Sequence, residues 1–444
     1  MAKRCSFVKR TNKKKRIKRI NQQGGTNFDS KVKLTGHTED VTSVAFHKRL
    51  PLLATGSKDN TVKLWLLTQH TPACVATLRG HTNDVNSVAF HPTAPILASG
   101  SADKTVKLWL ISDDNLSATC VATLADPENS SVESIAFHPT WPLMATGSMG
   151  GSLDKTVNLW QLSPDNMSAT CVASLAARQY GHTRPVRSVA FHPTLPFLAS
   201  GSDDKSVKLW QISYDNRSAT WSARCVATLI SSGYFITSVA FHPTAPLLAS
   251  GSQTDTNVTL WNFLPDNPSK ASIVATLAGH SRTVLSVAFH PTLPLLATGS
   301  SDGTVKIWLI SESQWHVTCE TTLKGHAKSV TSVAFHPREP LLASGSIDHT
   351  VNLWSSRSSQ ILEDKKSDFK IEAPVVKVEL SATDHDKRFH LPRSHSPIRL
   401  HLRTSRNRTS RLTSRRRRTS RLTSRNRTSS RNVPHFTIPE VPAH

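Results

Sequence analysis

The sequence lacks the segments that would direct a chain to or across a membrane. No apolar run approaches the ~18 residues that a membrane-spanning helix requires, so we expect no membrane partner. The first residues are rich in Lys and Arg but lead into no apolar stretch, so we expect no secretory signal. A chain that stays in the nucleus or cytosol keeps its thiols reduced, and we therefore expect no disulfide framework from its six cysteines.

Motifs of catalysis are also missing. The chain has no Gly-x-Ser-x-Gly turn and no glycine-rich phosphate loop, and its recurring Asp and His residues belong to the repeat described below. Because an activity has to be argued from a site, we predict no enzyme, no catalytic residue and no cofactor.

Acidic residues are scarce at the two ends. Residues 1–30 hold ten Lys or Arg and one acid, for a net charge of +9, and residues 357–444 carry +13. Residues 31–356 carry only +1, so the overall charge of +23 belongs to the ends. We predict disordered basic arms over 1–29 and 356–444, which would attract polyanions by salt-sensitive forces.

Both arms contain dense basic clusters. The N-terminal cluster is typical of nuclear import or nucleic-acid contact, although a solvated arm without a partner is the alternative. Between 399 and 431 there are thirteen Arg, no Lys and no acid, which favours forked phosphate binding, and phosphorylation of the interleaved Ser and Thr would cancel this charge. The candidate polyanion-binding or nuclear-import residues are Lys13, Lys14, Lys15, Arg16, Lys18, Arg19, Arg415, Arg416, Arg417 and Arg418. These clusters favour a nuclear over a cytoplasmic location.

A repeat occupies the chain between the arms. The string Val-Lys/Asn-Leu-Trp, or a near variant, recurs with Trp at 65, 109, 160, 210, 261, 308 and 354, at intervals of 44–51 residues. Each unit contains four short runs with β-branched residues, separated by turn residues, and the interval suits a propeller blade with loop insertions. We predict an all-β, seven-bladed β-propeller over residues 30–355.

The last unit has no fourth strand after Trp354. Residues 32–37 match residues 75–81 at their ends, so a strand at about 30–34 is predicted to complete that blade and close the ring. A closed ring of this kind is expected to be monomeric.

These motifs resemble the WD-repeat (WD40) family across roughly residues 31–355. The family's blade holds a buried tetrad of His, Ser or Thr, Asp and Trp, in which each polar group finds a partner. Carried onto this sequence, the tetrads are His37, Thr55, Asp59, Trp65; His81, Ser99, Asp103, Trp109; Thr146, Asp154, Trp160; His182, Ser200, Asp204, Trp210; Ser250, Asp255, Trp261; His280, Thr298, Asp302, Trp308; His326, Ser344, Asp348, Trp354. Units three and five have Asp126-Pro127 and Ser231-Ser232 near the His position, so we expect those blades to be weaker.

Two further recurring residue types need an account. Seven His occupy one position before the turn that follows the first strand: His47, His91, His138, His192, His242, His290 and His336. Equivalent positions are spread around a ring and cannot converge on one ion, so we predict no metal site. Five Cys (74, 120, 171, 225 and 319) share another position where unit five has Ile273, which predicts a small buried apolar side chain.

The resemblance implies a scaffold that binds protein partners, whereas the arms suggest a nucleic-acid-binding protein in which RNA or DNA is held by the arms. The three near-identical loops at 114–119, 165–170 and 215–220 are poor candidates for a specialised site. Units three to five instead depart from the repeat in loops that the family places on one face, although loops also drift neutrally. The candidate partner-binding residues are Met149, Leu153, Tyr180, Arg184, Arg187, Tyr234 and Phe235.

Overall fold

A computed structural model describes residues 28–67, 72–150, 155–175, 181–230, 234–253, 256–311 and 315–356 of the 444-residue chain. Within these ranges the chain forms 28 strands in seven four-stranded antiparallel sheets, which confirms the all-β, seven-bladed fold. No helix in this part of the chain is long and apolar enough to cross a membrane. The predicted arms fall almost entirely outside the described residues.

Each sheet is one blade. Blades one to six are the consecutive groups of four strands from β2 to β25, and blade seven combines β26–β28 with β1. The strand bounds are β1 (Phe28–Thr35), β2 (Val41–Phe46), β3 (Leu52–Ser57), β4 (Val62–Leu66), β5 (Ala73–Leu78), β6 (Val85–Phe90), β7 (Ile96–Ser101), β8 (Thr105–Ile111), β9 (Ala118–Ala125), β10 (Ser131–Phe137), β11 (Leu143–Met149), β12 (Val157–Leu162), β13 (Ala169–Leu175), β14 (Val186–Phe191), β15 (Phe197–Ser202), β16 (Ser206–Asp215), β17 (Thr220–Ile230), β18 (Ile236–Phe241), β19 (Leu247–Ser252), β20 (Val258–Leu264), β21 (Asn267–Leu277), β22 (Val284–Phe289), β23 (Leu295–Ser300), β24 (Thr304–Ser311), β25 (His316–Lys324), β26 (Val330–Phe335), β27 (Leu341–Ser346) and β28 (Thr350–Ser356).

The four strands of a blade have different surroundings. The first strands, β2, β6, β10, β14, β18, β22 and β26, each contact the first strand of the next blade and so form the inner ring. The second strand is buried along its whole length in nearly every blade, because neighbouring blades cover both of its faces. The antiparallel order then fixes two faces. The upper face carries the loops that enter each blade and the turns between second and third strands; the lower face carries the other turns.

The apolar core lies between the blades. Leu64 and Leu78 of blade one pack with Val85 and Trp109 of blade two, and equivalent clusters occur around the ring. A glycine in each second strand permits this approach: a Cβ on Gly100 would lie 2.5 Å from the Val132 side chain of blade three. Packing between blades therefore requires the glycine of the Ser/Thr-Gly-Ser string of the repeat.

A closed circle of hydrogen bonds joins the inner strands. The backbone N–H of Val88 in blade two donates to Ser43 Oγ of blade one at 3.1 Å. The circle ends where it began, since Val44 N donates to Ser332 Oγ of blade seven at 3.1 Å. The other five bonds, at 3.0–3.2 Å, are Ile135 to Ser87, Val189 to Ser134, Val239 to Ser188, Val287 to Ser238 and Val333 to Ser286. The sequence analysis did not identify this function for the recurring serine.

Strand β1 completes blade seven by pairing antiparallel with β28. Leu34 lies opposite Val351, and the strand begins at Phe28, two residues before the predicted boundary. Phe28 is only 1 % exposed and lies 6.0 Å from the ring of Phe335. The ends of the ring are thus held both by backbone pairing and by a buried aromatic side chain.

The prediction about the cysteines was wrong. Cys74, Cys120 and Cys319 are exposed, and Ile273 at the matching position is 52 % exposed. They lie on the outermost strand of their blades, opposite the tetrad Trp, where neighbouring blades contact each other less extensively than at the inner strands. Alternation of apolar residues could not distinguish this half-covered strand from a core strand.

We predict that a chain beginning at Gly36 melts at a lower temperature than one beginning at Phe28, because it cannot form β1. Phe28→Ala in the full chain should lower the free energy of unfolding by about 3–5 kcal/mol, the usual cost of removing a buried Phe side chain. Thermal unfolding followed by circular dichroism measures both effects. Equal melting temperatures for the two shortened chains would contradict closure by β1.

Candidate functional site

Five blades contain a fully connected tetrad. In blades one, two, four, six and seven, His Nδ1 lies 2.7–2.9 Å from the Asp carboxylate, and His Nε2 lies 2.6–2.8 Å from the Ser or Thr hydroxyl. The Trp indole N–H donates to the same hydroxyl at 2.8–3.0 Å. The carboxylate therefore fixes the proton on Nδ1, and Nε2 accepts the hydroxyl proton. The polar groups of each tetrad form hydrogen bonds with one another, which gives the network a structural role.

The Asp carboxylates of these tetrads are held ionised. Burial opposes the charge of Asp59, but hydrogen bonds from His37, Thr61 and the backbone of Thr38 outweigh it and lower the pKa well below its usual range. The same balance lowers the pKa of Asp302 and Asp348 to about 2. Each carboxylate also accepts the backbone N–H that follows its His, so it ties the upper-face loop to the turn.

Blade three uses a different network, which the sequence analysis missed. Its predicted Asp154 lies outside the described residues, and Asp126 occupies the place of the His with 4 % exposure. Asp126 Oδ2 accepts hydrogen bonds from Ser148 Oγ at 2.9 Å and Asn158 Nδ2 at 3.0 Å, while Oδ1 accepts backbone N–H groups of the entering loop. A signal existed in the sequence, since Asn158 replaces the Lys that most other units have two residues before Trp.

Blade five retains part of the tetrad in the described residues. Trp261 Nε1 donates to Ser250 Oγ at 2.9 Å. The predicted Asp255 lies outside the described residues, as do Ser231 and Ser232.

The seven recurring His of the first turns form a ring of their own on the lower face. In each, Nδ1 accepts the backbone N–H three residues later at 2.8–3.0 Å. Each imidazole also meets the Phe of a neighbouring blade edge to face, with centroids 4.9–5.2 Å apart. No group of three or more His, Cys, Asp or Glu in the described ranges is arranged to hold a metal.

Part of the predicted partner-binding patch comes together on the upper face between blades four and five. The guanidinium of Arg184 lies 5.5 Å from the ring centroid of Phe235, within the range of a cation–π interaction. Tyr234 beside it is 42 % exposed. With Lys205 and Asp203 these side chains line a cleft of about 560 Å³. The cleft offers aromatic surface next to a cation.

Arg187 has another role. Its Nη2 donates to Asp203 Oδ2 at 2.8 Å, its Nε lies 3.0 Å from Asp203 Oδ1, and Nη1 lies 3.5 Å from Glu133 Oε2 in blade three. Burial raises the pKa of Glu133, an effect that its hydrogen bond from Ser131 and the charge of Arg187 oppose. Arg187 is therefore a bridge between blades and does not line the cleft.

The remaining predicted residues do not join this cleft. Met149 is half-buried at the end of β11 and is absent from the cleft lining. Leu153 and Tyr180 lie outside the described residues, as do all the candidate polyanion-binding residues of the arms.

An aromatic group on the lower face also escaped sequence analysis. Trp221, from the long hairpin of blade four, lies 5.2 Å from Trp141 of blade three and 4.7 Å from Tyr214. Trp141 in turn stacks on His138 at 4.2 Å. The hairpin was dismissed because its tip repeats those of blades two and three. Trp141 and Trp221 stand outside the recurring Trp position, and that departure was the available signal.

Comparison with known protein families gives one result. The model of the family described as WD domain, G-beta repeat matches seven segments of the chain, at residues 28–65, 72–109, 118–161, 170–211, 223–262, 271–308 and 317–355. Each segment ends at the recurring Trp or one residue beyond it. Among curated proteins, no match to the chain was found.

We predict that the protein loses stability as the pH falls from about 6.5 to 4. Burial lowers the pKa of His47, His138, His192 and His290 to about 4. Between these pH values the unfolded chain binds more protons than the folded one, so this stability is complete above 6.5 and is lost towards 4. One pKa unit is worth about 1.4 kcal/mol, so the ring of His should account for a fall of a few kcal/mol.

Urea unfolding at pH 7.0, 5.5 and 4.5 in high salt measures this, since salt screens the arms. Proton uptake on unfolding at pH 5.5 provides an independent readout. A free energy of unfolding that stays constant from pH 7.0 to 4.5 would contradict the assignment.

Proposed function

The chain belongs to the WD-repeat family, and on that premise we propose that it is a non-enzymatic scaffold that binds a protein partner at the cleft between blades four and five. Propellers of this family are typically protein-interaction scaffolds. Since a fold alone does not specify a partner, the proposal rests on the cleft itself.

The observation that carries the proposal is the pairing of Arg184 with Phe235 beside the exposed Tyr234. Aromatic residues and Arg are the types that contribute most to binding energy at protein interfaces. The nearby acids are already engaged: Asp204 by His182 at 2.8 Å, and Asp203 by Arg187. Arg184 and the exposed Lys205 remain available, which suits a partner segment with an apolar side chain next to an acidic one.

We expect Arg184→Glu combined with Tyr234→Ala to abolish partner recovery in affinity capture of the full chain. A matched control is Arg217→Glu with Tyr214→Ala, which changes the same residue types in blade four on the lower face, where Tyr214 is 43 % exposed. Arg187 is left unchanged because its replacement would break the bridge to blade three. Equal recovery with both double variants, at unchanged melting temperatures, would exclude this cleft.

The charge of the arms supports a second function, the binding of RNA or DNA. The arms carry +9 and +13 against +1 for the propeller, and the C-terminal run of Arg has no acid to neutralise it. The arms lack aromatic residues among these basic clusters, so any contact with bases should read sequence poorly. The N-terminal cluster also suits nuclear import.

We expect the full chain to bind nucleic acid with a steep salt dependence, about 0.7–0.9 in the slope of log K against log salt for each phosphate neutralised. The chain limited to residues 28–356 should bind far more weakly at the same salt. Filter binding or fluorescence anisotropy with a mixed-sequence oligonucleotide measures both. Equal affinity of the two chains would assign the binding to the propeller.

A further inference from the structure

The turns between second and third strands differ at one equivalent position. In blades one, two, four and seven this turn places one residue at positive φ on the upper face, next to the loop entering the following blade: Asn60 (64°), Lys104 (71°), Lys205 (72°) and His349 (67°). His349 shows what such a side chain can do, because its Nδ1 donates to the carbonyl of Thr38 in blade one at 2.8 Å. It bridges the gap between two blades.

Blade six has no side chain at this position. Gly303 stands there with φ of 81°, and a Cβ added to it would lie 3.3 Å from the carbonyl oxygen of Lys328 and 3.5 Å from that of His326, both in blade seven. Gly303 therefore carries no side chain where the other turns carry one, and its backbone lies close to the loop that enters blade seven. A cleft of about 510 Å³ lies at this point, and a second of about 460 Å³ adjoins it, sharing Gly303, Ser281, Asp302 and His326 as lining residues.

The two clefts are lined by cations. Arg282 and Lys328 line the first, and Lys306 and Lys324 line the second. The single acid among the lining residues is Asp302, which accepts hydrogen bonds from His280 at 2.8 Å and from Ser281 N at 3.1 Å. Four positive residues thus line these adjoining clefts, although Lys306 Nζ also donates to Thr322 Oγ1 at 2.7 Å, and the one acid in the lining is already engaged. Hydroxyl donors of Ser281 and Ser329 lie in the same lining.

The equivalent cleft between blades four and five has a different lining, so the cationic lining is not a general feature of the repeat. Lys205 occupies the turn there, Asp203 supplies a negative charge, and Tyr234 and Phe235 supply aromatic surface. Between blades six and seven, Ser301 and Gly303 stand at the places of Asp203 and Lys205, and the lining includes no Tyr or Phe. The same place in the repeat therefore offers an anion-binding surface in one case and an aromatic surface in the other.

We propose that the cleft between blades six and seven binds an anionic side chain, phosphorylated or carboxylate, in an extended segment of a protein partner. Several Lys and Arg around one small space suit a compact, highly charged group, which accepts charge-assisted hydrogen bonds from them. A nucleic-acid strand is less suited, because no Phe, Tyr or Trp of the described residues lines the clefts to stack on bases. This site is separate from the cleft proposed above and does not depend on it.

The test uses the full chain and fluorescein-labelled peptides Gly-Ser-Ala-X-Ala-Ser-Gly, with X as phosphoserine, glutamate or serine. The double variant Arg282→Glu/Lys328→Glu removes two lining cations. Its matched control, Lys48→Glu/Arg338→Glu, reverses two exposed charges on the lower face. Both variants keep the arms and have the same net charge, so binding to the arms is equal in the two.

We expect the anionic peptides to bind at least about tenfold more tightly than the serine peptide, and Arg282→Glu/Lys328→Glu to lose that preference while the control keeps it. A stronger effect with phosphoserine than with glutamate identifies a phosphoryl group, and equal effects identify a carboxylate. Gly303→Asn introduces the residue that blade one has at this position, Asn60, so it covers the cleft without a change of charge and should weaken binding in the same way. If the double variant does not fold, Gly303→Asn tests whether the cleft binds the anionic peptides.

Three results would overturn the proposal. The first is a loss of binding that is equal in the two double variants, which would assign it to overall charge. The second is unaltered binding by a folded Gly303→Asn. The third concerns an oligonucleotide tested in the same assay: it binds the double variant more weakly than the control, while the anionic peptides bind both variants equally. The Arg184→Glu/Tyr234→Ala variant should bind these peptides normally, so failure of one site is distinguishable from failure of the other.

Discussion

The seven inner strands have to close into a ring, and the rest of the structure depends on the hydrogen bonds that join them. Each first strand donates one backbone N–H to a serine of the preceding blade, and the last bond returns to Ser332. Val132 approaches the backbone of Gly100 so closely that no side chain fits between them. Because every blade is held by both neighbours, an error at one position would strain the whole ring. Variation is therefore expected away from the inner strands, in the turns and loops of the two faces.

The tetrads connect the buried strands of each blade to the loops of the upper face. A buried polar group without a partner is costly, so a blade that lacks the His needs other partners for the polar groups that remain. Blade three shows such a replacement, in which Asp126 and Asn158 form a new network with Ser148. Blade three was expected to be weaker because it lacks His, but its buried groups in this network have partners. In this network Asp126 accepts backbone N–H groups of the entering loop, which the tetrad Asp does in other blades.

The upper face gains its chemical variety from equivalent positions filled differently. Asp203 and Ser301 occupy the same place in their turns, as do Lys205 and Gly303, and the two resulting clefts differ in charge and shape. The rigid blades keep each cleft at a fixed place on the ring, so their separation is set by the fold. A partner that spans the face would meet an aromatic surface and a cationic one at defined positions.

The sequence alone determined the number of blades, the all-β class and the members of the five complete tetrads, because each of these features recurs at a constant place in the repeat. It also indicated that the first strand belongs to the last blade, through the missing strand after Trp354. Features that depend on one copy were harder to predict. Phe28 has no counterpart in the pattern that recurs in the sequence, so nothing in its local sequence indicated burial against Phe335. Arg187 looked like an available cation because its partners, Asp203 and Glu133, are 16 and 54 residues away.

Only the tertiary structure decided which surfaces are covered. The cysteines have an apolar pattern, but neighbouring blades contact each other less at the outermost strands, where Cys74, Cys120 and Cys319 are exposed and Cys171 and Cys225 are half-buried. Gly303 is one of several glycines in the sequence, and its effect appears only where the loop of blade seven passes over it. Local sequence sets backbone geometry and alternation of side chains, whereas exposure and charge balance depend on residues brought together from different blades. That is the physical reason why the fold was predictable from the sequence and the candidate sites were predictable only in part.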